Sequence, residues 1–92
     1  MRAEKREAAF TAIDSERDYQ DARWGDSGSS GQPGNGERTI DEFALYIAAY
    51  TNKMVEQCGT FADPIAKLHT IRKVAGLAVA CMEQHGAPLR EK

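Results

Sequence analysis

Asp63-Pro-Ile-Ala-Lys-Leu-His-Thr-Ile-Arg-Lys-Val-Ala-Gly-Leu-Ala-Val-Ala-Cys-Met-Glu-Gln-His-Gly86 is the stretch from which the architecture of this 92-residue chain is read. Asp63 can cap a helix N-terminus, and Pro64 suits the first helical position, where no amide donor is needed. Gly86 suits the residue that ends such a helix, and Pro88 prevents it from continuing. The pattern predicts a helix over residues 64–85. Its first turns place Ile65, Leu68, Ile71 and Ala75 on one side. From Val74 to Met82 it is apolar nearly all round, so this half must be covered on more than one side. Two further helices of the same chain are expected to cover one side only. That leaves Val74, Leu77, Ala78 and Cys81 as the expected interface with another copy, with Gly76, Ala78 and Ala80 permitting close approach. The expectation is an all-α homo-oligomer, most simply a two-fold dimer.

Working outward, Thr39-Ile-Asp-Glu42 has the form of a capping box, in which the hydroxyl and the carboxylate each satisfy an orphan amide. A helix over about 40–58 follows, with Ile40, Phe43, Ala44, Ile47, Thr51, Met54, Val55 and Cys58 on a wide apolar face. Tyr46 and Tyr50 flank this face, and Gly59 ends the helix. Upstream, Asp26-Ser-Gly-Ser-Ser-Gly-Gln-Pro-Gly-Asn-Gly36 is too poor in apolar residues to offset its ordering entropy, so residues 26–37 are read as a flexible loop. Before it, Phe10, Ile13, Arg17, Asp21 and Trp24 project into one stripe of a first helix over about 3–24. The whole chain, 1–92, thus reads as one domain of three helices.

Composition narrows the function classes. The formal charge of −2 favours neither nucleic acid nor an anionic membrane as a bulk partner. Residues 64–92 are locally basic through Lys67, Arg72, Lys73, Arg90 and Lys92, but no aromatic residues interleave with these bases, so nucleic-acid binding is not expected. No run approaches the ~20 apolar residues of a membrane span, and the Met-Arg-Ala-Glu-Lys-Arg-Glu start has no apolar signal core. Two cysteines are too few for a disulfide scaffold. The expectation is a cytoplasmic protein of a bacterial host cell.

Candidate chemistry centres on the first helix. Arg17 and Asp21, four apart, can pair along it, yet they project between Phe10, Ile13 and Trp24. Two readings follow: a structural ion pair with the Arg17 stem on Trp24, or a polar pocket in which Arg17, Gln20, Asp21 and Trp24 bind a ligand. The acidic pairs Glu4/Glu7 and Asp18/Asp21 have spacings suited to a hard cation but share one helix, so the facing carboxylates of a two-metal site are not visible. Cys81 and His85, with Cys58 and His69, supply four soft donors at a spacing that fits no familiar zinc module. No cofactor, metal site or catalytic residue is expected.

Residues 16–25, Glu-Arg-Asp-Tyr-Gln-Asp-Ala-Arg-Trp-Gly, resemble the N-terminal motif of small phage-encoded helical proteins with the pattern ER-x-x-Q-x-x-x-W-G. In those proteins a variable loop and two helices follow, and Leu68–Gly86 is similar to their last helix. More distantly, the arrangement resembles MazG-like all-α nucleotide pyrophosphohydrolases, which hold magnesium with acidic pairs on two helices. Here the first such place reads Ala44-Leu-Tyr-Ile-Ala-Ala-Tyr50, and the second keeps only Glu83. The resemblance implies a non-enzymatic accessory protein that binds itself and a host or defence protein. The alternatives it leaves are a nucleotide-sequestering module and a divergent magnesium-dependent pyrophosphohydrolase.

Overall fold

The computed structural model describes residues 2–24, 37–58 and 63–91. The fold is all-α, in the order α1 (Arg2–Trp24), α2 (Ile40–Gln57) and α3 (Pro64–His85). The loop expected over 26–37 lies, apart from Glu37, outside the described residues, as do Gly59 and the side chain of Trp24. Among the described residues no helix is long and apolar enough to cross a membrane.

The helix ends follow from their capping chemistry. Thr39 Oγ1 accepts from the Glu42 amide at 3.0 Å, while the Thr39 amide donates to the Glu42 carboxylate at 2.9 Å. This reciprocal box starts α2, and the Thr39 amide holds the Glu42 carboxyl below its ordinary value. Asp63 accepts from the Ile65 amide at 3.0 Å to start α3, with Pro64 next. Gly86 ends α3 at φ +115°, a conformation that favours glycine, with its amide on the Met82 carbonyl at 2.9 Å.

Helix α3 is central. Both other helices pack on it, and among the described residues α1 and α2 make no close backbone approach to each other. On one side, Phe43 of α2 packs with Leu77 and Ala80, and Ile47, Tyr50 and Cys81 close around them. Arg38 lies beside Gln84 and His85, and Lys73 sits over the Tyr50 ring, so α2 runs antiparallel to α3. On the other side Glu16 meets Arg72 and Arg17 meets Glu83, so α1 runs parallel to α3.

This arrangement corrects the expected coverage of α3. Two helices do take two different sides of it, because α1 and α2 do not pack against each other. Leu77 and Cys81, expected at an interface between copies, face α2 instead, and Leu77 is 2% exposed within the single chain. Val74 and Ala78 remain half-buried. The α1 stripe is corrected too. Phe10 is 63% exposed, and the buried positions are Glu16, Arg17 and Gln20, with Ile13 half-buried beside them.

Candidate functional site

From Glu16 onward the face that α1 presents to α3 is polar. Glu16 and Gln20 lie one turn apart and enter at Gly76, where an added Cβ would sit 2.7 Å from Glu16 Cγ and 2.8 Å from Gln20 Nε2. Gly76 is therefore the position at which α3 makes room for two long side chains. Glu16, 5% exposed, is compensated by Arg72, whose Nε donates to Oε1 at 2.8 Å, while Gln20 Nε2 donates to Oε2 at 3.3 Å. The Arg72 guanidinium also contacts His69 Nδ1, extending the row toward the start of α3.

Arg17 anchors the other end. Its Nε reaches both oxygens of Glu83 at 3.2 Å, and Nη2 donates to Asp21 at 2.8 Å as well as to Glu83. Nη1 donates to Gln20 Oε1 at 3.1 Å. Burial by itself would lower the Arg17 pKa, but the hydrogen bonds and charges of Glu83 and Asp21 outweigh it and hold the guanidinium above its ordinary value. The pairing of Arg17 with Asp21 that their spacing predicts is present. The other two partners come from geometry that the sequence does not reveal, since Glu83 is 66 residues away.

The structure thus brings Arg17, Gln20 and Asp21 together. It ties each nitrogen of the Arg17 guanidinium to a protein acceptor, and leaves that group poorly placed to grip a ligand. The sequence does not reveal that Glu16 pairs with Arg72. The available signal was the i,i+4 pair Glu16/Gln20 together with a glycine inside an otherwise apolar helix, which marks close approach by something bulky.

Three surface features surround this row. A cleft of about 200 Å³ is lined by Glu16, Tyr19, Gln20, Arg23, Tyr50, Lys73 and Leu77. Two phenols and two cations thus stand around a floor containing a buried amide. An apolar groove of about 350 Å³ lies between α1 and the first half of α3, with Ala12 and Ile13 on one wall and Leu68, Ile71 and Ala75 on the other. Finally, the apolar face of α2 is wider than α3 covers: Phe43, Ile47 and Met54 are buried or half-buried, whereas Ile40, Ala44, Thr51 and Val55 are exposed.

The soft donors do not gather. Among the described residues no group of three or more His, Cys, Asp or Glu is placed to hold a metal ion, so Cys58, His69, Cys81 and His85 do not form one site. His69 contacts Arg72, and His85 donates to the Arg38 carbonyl at 2.6 Å. No family model, curated protein or solved structure matches this chain.

Proposed function

We propose that this chain is a non-enzymatic binding protein, a phage-type accessory protein that docks on a host or defence protein and modulates it. The observation that carries the reading is the uncovered flank of α2, where Ile40, Ala44, Thr51 and Val55 continue the apolar face beyond the reach of α3. An amphipathic helix that leaves an apolar strip exposed is the ordinary donor in helix-in-groove recognition. The likeness of residues 16–25 to the phage-encoded pattern supplies the biological setting. The test compares capture of host proteins by the wild type with capture by Val55→Glu and Ala44→Glu, at low and high salt. A host protein retained at both salts by the wild type and lost from both variants supports the reading. Identical capture by all three proteins sinks it.

A second reading, nucleotide sequestration, is favoured by the cleft between Tyr19 and Tyr50, where Arg23 and Lys73 could meet phosphate and the ring faces could stack on a base. Native mass spectrometry of gently purified protein checks it. A nucleotide-sized adduct that Lys73→Ala abolishes supports this reading, and bare protein that stays bare after incubation with the common nucleotides removes it.

A further inference from the structure

Helix α3 has a third apolar side that α1 only borders and α2 does not cover. Leu68, Ile71, Ala75, Ala78 and Met82 recur at spacings of three and four, the seam of a coiled coil. Ala75 and Ala78 are half-buried, while Leu68, Ile71 and Met82 are 59%, 48% and 42% exposed. The geometry points to this seam as the surface on which a second copy of the chain docks, its own α3 crossing antiparallel about a two-fold axis near Ala75.

Four observations select that occupant. First, the seam is self-complementary: an antiparallel pairing about Ala75 sets the bulky Leu68 and Ile71 of one copy against Met82 and the small Ala78 of the other. Second, charge follows the same sense: Lys67 lies at one end of the seam, and Glu83 at the other is already paired with Arg17, so the antiparallel arrangement keeps the two Lys67 ammonium groups apart whereas a parallel one would set them together. Third, the seam is continuous with the α1–α3 groove, so a partner helix on it would also cover Ile13 and Phe10. Residues 2–12 are helical yet exposed throughout, and an isolated helix of that length is marginal in water. Fourth, the area suffices. With about half of the ~200 Å² of each large side chain exposed, Phe10, Ile65, Leu68 and Ile71 alone bring on the order of 400 Å² per copy. The flanking alanines and charged stems can supply the rest of the roughly 800 Å² per partner of a standard interface. This inference is independent of the α2 flank and replaces the Leu77 and Cys81 face expected from the sequence.

The experiment is sedimentation velocity on the full chain from about 1 to 300 μM, with Ile71→Glu and Val55→Glu alongside. The wild type is expected to run as a dimer in the upper part of this range. Ile71→Glu is expected to shift dissociation at least tenfold upward in concentration with an unchanged helical circular dichroism spectrum, and Val55→Glu to run as the wild type. A wild-type monomer at 300 μM, or a dimer lost with Val55→Glu and kept with Ile71→Glu, overturns the assignment. Direction is read separately in a background carrying Cys58→Ser and Cys81→Ala. Mixed Leu68→Cys and Met82→Cys proteins should cross-link on oxidation, and cross-linking by Leu68→Cys alone overturns the antiparallel sense.

Discussion

The two sides of α3 are held by opposite chemistry. Toward α2 the contact is apolar, with Phe43 against Leu77 and Ala80 and the ring of His85 edge-on to Phe43 at 6.3 Å. Toward α1 it is a row of charges and amides, from His69 and Arg72 through Glu16 and Gln20 to Arg17, Asp21 and Glu83. The apolar side derives its stability from area and packing, which depend weakly on register. The polar side is directional, so each donor must meet its acceptor, and α1 can sit at only one height along α3. One side supplies most of the cohesion and the other specifies alignment. This division rests on the general behaviour of buried ion pairs, which are costly to break yet contribute modest net stability.

Four substitutions test the division, in descending order of effect. Phe43→Ala should be the most damaging, costing about 3–5 kcal/mol through lost burial and the cavity left beside Leu77. In a chain of this length thermal denaturation should fall by more than ~12 °C, and a shift below ~4 °C would place the main source of cohesion elsewhere. Arg72→Met should cost about 2–4 kcal/mol, because it strands the buried Glu16 carboxylate. Adding Glu16→Met should recover most of that loss if the polar row serves alignment rather than cohesion. A double variant as unstable as the single one would show that the row is a main stabilising element after all. Urea melts on the cycle distinguish these outcomes.

Gly76→Ala should be destabilising by about 1–2 kcal/mol although alanine is the better helix former. The new methyl must displace Glu16 and Gln20, so the same change should be nearly neutral once both have been replaced by alanine. Smallest is the cap. Thr39→Ala should cost about 1 kcal/mol, and it should also reduce a pH dependence, whose larger part comes from the Thr39 amide that the variant keeps. Glu42 has a folded pKa below its unfolded value, so its contribution is present above the unfolded pKa and is lost as pH falls through the folded one. Thermal melts of wild type and variant should therefore converge toward acid pH, and a constant gap would count against the box.

The local part of this account was legible in the residues. Thr39 with Glu42, Asp63 with Pro64, and Gly86 before Pro88 mark helix ends among neighbours in the chain, and Thr39, Glu42, Asp63 and Gly86 make their capping contacts in the structure, while the two prolines only stand beside the ends. The all-α class followed from the same signals. Which face of each helix would be covered was less legible. Projection placed Phe10 in the buried stripe of α1, but the stripe is turned toward Glu16 and Gln20, which enter at Gly76.

The sequence by itself determined where α2 begins, where α3 begins and ends, and that α3 has more apolar surface than one neighbour can cover, because capping and hydrophobic periodicity are properties of residues a few positions apart. Only the tertiary structure decided that α3 stands between α1 and α2, that Leu77 belongs to the α2 contact, and that Arg17 reaches Glu83 and Glu16 reaches Arg72. Those pairings join residues 66 and 56 positions apart. Their existence depends on how two helices are rotated and shifted against a third, and no local pattern encodes that relation.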